Sequence, residues 1–213
     1  MNKTLFAAAL ALVLLTPAAF AQTAKSQPQA AKAPAANVDL KRAQEIVNGR
    51  CSLCHGAEGE SASPIFPRLA GQHPEYIAKQ LADFKNGRRK GTMNDQAAEL
   101  TEDEMKALGV FFGDKKPKSY TVRDEDFGAV GRYIYHKGNP FSGVAACASC
   151  HGPKGDGTVQ LPRLAGQHAA YLEGQLKEFN KRERTNDNAV MHAIASKLTE
   201  LEVKAVSLYL SGM

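Results

Sequence analysis

The 213-residue chain is long enough for one large domain or two small ones, and its 27 basic against 22 acidic side chains leave a formal charge of only +5. A surplus that small, with no extended basic tract, gives no reason to expect a nucleic-acid partner. Short basic clusters at Arg88-Arg89-Lys90 and Lys181-Arg182-Glu183-Arg184 read as ordinary solvated surface.

The N-terminus has the layout of a secretory signal. Lys3 supplies the positive charge, Leu5 to Leu15 form an unbroken apolar run, and Ala19-Phe20-Ala21 gives the small-x-small cleavage pattern. Cleavage is expected after Ala21, because the run is short for a bilayer span, which needs about 20 residues. Gln22 rather than Cys follows, against a lipoprotein anchor. The mature chain is expected outside the cytoplasm. Residues 22–37, mostly Ala, Gln and Pro, have almost nothing to bury and read as a disordered lead-in.

Beyond the lead-in the chain repeats itself. Cys-Ser-Leu-Cys-His at 51–55 returns as Cys-Ala-Ser-Cys-His at 147–151, and Pro-Arg-Leu-Ala-Gly-Gln-His at 67–73 returns unchanged at 162–168. Tyr76, Gln80, Leu81 and Phe84 match Tyr171, Gln175, Leu176 and Phe179 at an offset of 95; Leu100-Thr101-Glu102 matches Leu198-Thr199-Glu200 at 98. The sequence therefore predicts two duplicated units, 38–116 and 117–213, joined near Asp114-Lys115-Lys116-Pro117-Lys118.

Both units read as all-α, with no alternating strand pattern. The first helix would bury Leu40, Ala43, Ile46 and Val47, and its counterpart Phe127, Val130 and Ile134. Ile77, Leu81 and Phe84 mark a middle helix, as do Leu172, Leu176 and Phe179. The last helix opens on a capping box in each copy, Thr101 with Glu104 and Thr199 with Glu202, and carries Leu108, Phe111 and Phe112, or Val206, Tyr209 and Leu210. Units this small bury little surface alone, so an internal cofactor fits the physics.

All four cysteines lie in Cys-x-x-Cys-His runs. On a helical turn residues i and i+3 share a face, so Cys51 and Cys54, or Cys147 and Cys150, can each bond one vinyl group of a haem while the next residue, His55 or His151, meets the iron. A four-cysteine zinc site brings its pairs within about 15–20 residues, whereas 92 residues separate Cys54 from Cys147. A thioredoxin-like pair lacks its βαβ setting, and disulfides do not account for the histidines.

The repeat selects a second iron ligand. Met93 stands 38 residues beyond His55 and Met191 stands 40 beyond His151, both just before the capped last helix. Met105 aligns with Val203 at the fourth helical position, where it staples onto Leu100 and belongs to the core. The duplicated His73 and His168 are rival ligands, with a capping or surface role as the plainer alternative. His136 and His192 have no duplicate and receive no role. Arg68 and Arg163 either pair with haem carboxylates, whose geometry guanidinium matches, or stand as surface arginines after Pro67 and Pro162.

The Cys-x-x-Cys-His motif, a proline about a dozen residues on and a methionine before the last helix resemble class I cytochrome c. The doubled Pro-Arg-Leu-Ala-Gly-Gln and the Asn-Ala-Val-Met-His-Ala-Ile-Ala-Ser-Lys-Leu segment around Met191 resemble the dihaem cytochrome c4 family, over about residues 38–213. That resemblance implies two tandem all-α cytochrome c domains about a pseudo-twofold axis, two covalent haem c groups with His/Met iron, and Pro67 and Pro162 carbonyls accepting from His55 and His151 Nδ1–H. It implies a periplasmic respiratory carrier, not an enzyme, passing electrons from a quinol-oxidising complex towards a terminal oxidase. Such a carrier would work as a monomer with peripheral membrane association. Two ionised carboxylates per haem would bring the loaded protein near neutrality. The rival functions are a dihaem subunit accepting electrons from a flavin-containing dehydrogenase, and a dihaem peroxidase. The first unit matches less closely from Met93 to Leu100, and Lys137 to Ala146 reads as an insertion.

Overall fold

The computed structural model describes residues 38–121 and 125–213; the expected leader and lead-in lie outside the described residues. In the first half, α1 (Leu40–Ile46) is capped by Asp39, whose carboxylate accepts the Arg42 N–H at 2.9 Å. A π-helical turn, Val47–Cys51, then leads into α2 (Ser52–His55). There follow α3 (Pro74–Lys85), with proline at its first position, α4 (Met93–Ala97) and α5 (Glu102–Gly113). The second half repeats the order with α6 (Glu125–Lys137), α7 (Ala148–His151), α8 (Ala169–Asn180), α9 (Val190–Ala195) and α10 (Glu200–Ser211). The fold is all-α; the insertion before Cys147 closes on a single antiparallel bridge between Asn139 and Val144. No helix among the described residues is long and apolar enough to cross a membrane.

The capped last helix organises each half. Thr101 and Glu104 form a complete capping box, as do Thr199 and Glu202. Each satisfies two helix-end donors, and truncating such a cap costs about 1 kcal/mol. Against α5 pack α1 and α3, and against α10 pack α6 and α8. Leu108, Phe111 and Phe112 are buried in one core with Leu100 and Met105; Val206 and Leu210 are buried in the other with Leu198 and Val203.

Two positions depart from the expected apolar faces. Leu40 is 46% exposed and Val130 40% exposed, while Tyr135 is fully buried. The α6 face that meets α10 instead runs through Gly131, where an added Cβ would lie 2.0 Å from the Ala205 carbonyl oxygen. Only glycine lets these helices approach so closely, and a residue without a side chain leaves no mark on hydrophobic periodicity.

The two halves are joined by hydrogen bonds that obey the duplication. Gln167 accepts the Arg68 N–H through Oε1 at 2.8 Å and donates Nε2–H to the Arg68 carbonyl at 2.9 Å. Gln72 treats Arg163 in the same way, at 2.8 and 2.9 Å. Beyond them lies a buried cluster around Arg89 and Arg184, which contradicts the reading of both as solvated surface: they are 8% and 7% exposed. Arg89 donates to Gln80 Oε1, Gln175 Oε1 and the Tyr171 hydroxyl. Arg184 donates to Gln175 Oε1, Gln80 Oε1 and the Tyr76 hydroxyl. Each guanidinium also lies over a ring of its own half, Phe84 at 4.6 Å and Phe179 at 4.5 Å.

Gln167→Leu strands the Arg68 N–H and C=O at the interface, at about 1–3 kcal/mol for each buried group left without a partner. We expect the urea midpoint followed by circular dichroism to fall; an unchanged midpoint would mean that water replaces the amide freely. Asp83, beside the cluster, gives a pH signature. Burial raises its pKa, but hydrogen bonds from Lys79 and Asn186 and the charges of Lys79 and Arg88 outweigh this and hold it below the ordinary 3.8. The unfolded chain thus takes up this proton at higher pH than the folded one. The stabilisation is complete above pH 3.8 and fades as pH falls through the depressed value. Asp83→Asn should be less stable than the parent at neutral pH, with the two unfolding curves converging in acid.

Candidate functional site

Each Cys-x-x-Cys-His run sits on a single helical turn that begins at its first cysteine. Cys51 ends the π-helical turn and precedes α2; Cys147 precedes α7. His55 and His151 end these turns and are buried, 5% and 6% exposed. The chain leaves at once through Gly56 (φ 75°, ψ 152°) and Gly152 (φ 79°, ψ 157°), a backbone region open essentially to glycine alone. The ring thus stays in the core while the following loop turns away.

That loop returns to meet the ring. His55 Nδ1 lies 2.8 Å from the Pro67 carbonyl oxygen, and His151 Nδ1 lies 3.2 Å from that of Pro162. A carbonyl only accepts, so Nδ1 carries the proton and Nε2 keeps its lone pair. Burial pushes both imidazoles below their ordinary pKa, against the opposite pull of the proline carbonyls. A neutral imidazole with one tautomer fixed by a carbonyl is the state in which histidine binds a metal. The thiols are not paired in disulfides. Burial pushes Cys51 up and Cys147 up to about 11.

Met93 is half-buried at the start of α4, packed against the same core as Cys51, and α4 packs on α3. Met191 is half-buried in α9, which packs on α8. Its backbone N–H is held by Asp187 Oδ2 at 2.6 Å. Met105 is in the core, 3% exposed.

The rival histidines are engaged elsewhere. His73 and His168 occupy helix N-cap positions but make no side-chain capping bond. Each reaches into the opposite half instead, His73 Nε2 to the Asp156 carbonyl at 2.7 Å and His168 Nε2 to that of Ser61 at 2.9 Å.

Arg68 and Arg163 share a telling feature. Arg68 Nη1 donates to the Gly166 carbonyl and its guanidinium lies 3.3 Å over the Tyr120 ring, while Arg163 Nη1 donates to Asp156. Yet the Nε of each is buried without a hydrogen-bond acceptor. These two donors, at duplicated positions one residue beyond the carbonyls that orient the histidines, each have one hydrogen bond left to give, although both guanidiniums already face a carboxylate, Glu60 at 3.9 Å from Arg68 Nε and Asp156 at Arg163 Nη1. With the Nε2 lone pair and the two free thiols of each turn, the residues present fit covalent haem.

Sequence reasoning overlooked two sets of residues. Arg89, Arg184 and the glutamines and tyrosines around them were signalled by their constant offset of 95. Asn94 and His192 align at 98, and both side chains donate to the end of the middle helix: Asn94 Nδ2 to the Phe84 carbonyl at 2.6 Å, His192 Nδ1 to that of Phe179 at 2.9 Å. Comparing residues by identity rather than by donor position hid that pair.

Comparison with known proteins agrees with this geometry. Residues 38–111 match the family described as cytochrome c oxidase, cbb3-type, subunit III, and residues 131–213 match cytochrome c. The chain is 41% identical to the cytochrome c4 of Thiocapsa roseopersicina, over 82% of this chain and 93% of that protein. It is 36% identical to a thiosulfate dehydrogenase electron acceptor of Stutzerimonas stutzeri (strain A1501), over 76% of this chain and 78% of that one. It superposes on the crystal structure of reduced recombinant cytochrome c4 from Pseudomonas stutzeri with a TM-score of 0.78 at 33% identity, covering 83% of this chain and 100% of the other. Duplicated attachment turns, a tandem all-α fold and these likenesses together place the chain in the dihaem cytochrome c4 family, electron-transfer proteins with covalently bound haem c.

Proposed function

We propose that the protein is an exported periplasmic carrier, passing single electrons from a quinol-oxidising complex to a terminal oxidase as a monomer, with peripheral membrane association. Cys51 and Cys54 hold one haem and Cys147 and Cys150 the other, in domains spanning 38–116 and 117–213. His55 with Met93, and His151 with Met191, would hold the two irons. The observation that carries this reading is the pair of buried neutral imidazoles, each fixed in one tautomer by the carbonyl of Pro67 or Pro162.

Haem held in this way supplies a one-electron couple, whose potential Met/His ligation raises. The surrounding side chains keep the geometry constant. Pro67 and Pro162 orient the imidazoles and increase their basicity. Arg68 Nε and Arg163 Nε, each with a hydrogen bond left to donate, would reach haem carboxylates while their charge is shared with Glu60 and Asp156. Met93 and Met191 would each supply a thioether as the second ligand. Closure leaves nowhere for a small substrate to bind, which separates this reading from a dihaem peroxidase.

A second reading is favoured by the thiosulfate dehydrogenase electron acceptor, which this chain matches over 76% of its length. There the protein would accept electrons as the partner of a dehydrogenase; stable co-purification with such an enzyme from the periplasm would select that reading.

The ferric holoprotein should be low-spin with a weak far-red band from Met–Fe bonding. Met93→Ala and Met191→Ala should each remove about half of that band and open one ferrous iron to carbon monoxide. An unchanged band in either variant rejects that methionine as a ligand, and rapid peroxide turnover by the parent protein rejects the carrier.

A further inference from the structure

The methionine-bearing segments of the two halves are built differently. In the first half, Asn94 follows Met93 and clamps the start of the segment, while Arg50 Nη1 donates to the Gln96 carbonyl at 2.9 Å further along it. Asn94 Nδ2 donates to the Phe84 and Arg89 carbonyls, at 2.6 and 2.9 Å, and its Oδ1 accepts the Gly91 N–H at 2.7 Å. The second half carries three more residues between its buried arginine and its methionine: Arg184 follows Arg89 by 95 positions, whereas Met191 follows Met93 by 98. The longer path enters α9 through Asn188 and Ala189, at φ 55° and 64°. Left-handed backbone is disfavoured at both residues, most at alanine, and a six-residue helix has little stability of its own. Tertiary anchors must therefore set its orientation.

Three anchors are visible. Asp187 Oδ2 accepts the Met191 and His192 N–H groups, at 2.6 and 3.3 Å. Ala195 is buried and Ile194 packs on the second core. The third is the bond from His192 Nδ1–H to the Phe179 carbonyl at 2.9 Å, which ties α9 to the end of α8.

We propose that His192 is a positioning residue for Met191: its imidazole Nδ1–H, bonded to the Phe179 carbonyl, does in the second half what the Asn94 amide does in the first. The equivalence is atomic. Asn Nδ2 and His Nδ1 are both N–H donors attached to Cγ, so the two residues present a proton at the same depth from the backbone. Each acceptor also closes the end of its middle helix: Gly87 N–H donates to the Phe84 carbonyl at 3.1 Å, and Arg182 N–H to that of Phe179 at 3.2 Å. The histidine that lacks an identical duplicate thus has a duplicated task. Without it α9 can rotate about Asp187, and the thioether one residue away moves with it.

This inference rests on Met191 being an iron ligand, and the test separates the two. His192→Leu and His192→Asn replace the ring with side chains nearly equal in size to each other, of which only Asn carries a δ N–H. Both would be made in the full holoprotein beside Met191→Ala, with haem content and helical circular dichroism confirming the fold. We expect His192→Leu to bring the far-red band towards about half of the parent amplitude, to lower the potential of one of the two redox steps and to speed carbon monoxide binding. His192→Asn should restore all three. If Met191→Ala halves the band but His192→Leu leaves band and potential unchanged, the positioning role is wrong and the ligand stands. Loss of the band in Leu and Asn variants alike also overturns it, because the donor is then not what matters. A band untouched by Met191→Ala removes the ligand and the positioning residue together.

Discussion

The hydrogen bond from each buried histidine to a proline carbonyl is the constraint around which the rest is arranged. An imidazole turned into an apolar core is only useful as a ligand if one nitrogen is protonated and the other is free. Pro67 and Pro162 settle that choice from eleven or twelve residues away. Proline suits the task because its fixed φ limits the directions in which its carbonyl can point. The segments that begin at these prolines then continue into Arg68 or Arg163 and Gln72 or Gln167, whose groups bridge to the other half. One short loop per half therefore orients the ligand and joins the halves. A displacement of one half against the other would pull directly on the carbonyls that hold the rings.

This double duty explains what the sequence showed and what it concealed. The attachment turns were legible because cysteine and histidine at that spacing carry chemistry that few other arrangements need. The last helices were legible because capping boxes and apolar periodicity are local signals, and both capping boxes form as written. The seven-residue repeat was also plain, but its role was not. Its arginines pointed to haem carboxylates; the Nε of each lacks a hydrogen-bond acceptor, but Glu60 and Asp156 already lie against the two guanidiniums. Its glutamine and histidine side chains, however, act across the interface, and a bond between residues 99 positions apart has no local signature.

Burial of Arg89 and Arg184 shows the same limit more sharply. Charged runs are usually solvated, and Arg88, Lys90, Lys181 and Arg182 obey that rule. Their neighbours break it because the duplication brings two guanidiniums to the same pair of amide oxygens, Gln80 and Gln175. Neither arginine would be satisfied in an isolated half, since each takes its phenol partner, Tyr171 or Tyr76, from the other. Desolvating two like charges is costly unless every donor is met. The cluster consequently makes separation of the halves expensive without adding apolar area. It favours a single rigid body over two tethered domains.

Within that rigid body the two halves have diverged where the methionines stand. The scaffold is matched position by position from the proline loop to the buried arginine, with one residue fewer between attachment turn and proline in the second half, and it ceases to match a few residues after the arginine. The difference has a physical logic. The attachment turn, the proline loop and the middle helix also form the interface, so a change in one half would have to be answered in the other. The methionine segments contribute less to it: apart from the Asn186 side chain and carbonyl, which contact Asp83 and Lys79, the second segment is tied to its own half. They are free to change length provided that their methionine is still aimed. Asn94 and His192 meet that condition with different residues, the same donor position and equivalent carbonyls. Two sites that share their histidine geometry but differ in how the opposite ligand is braced are a direct consequence of duplicating a unit and then fusing it through only one of its faces.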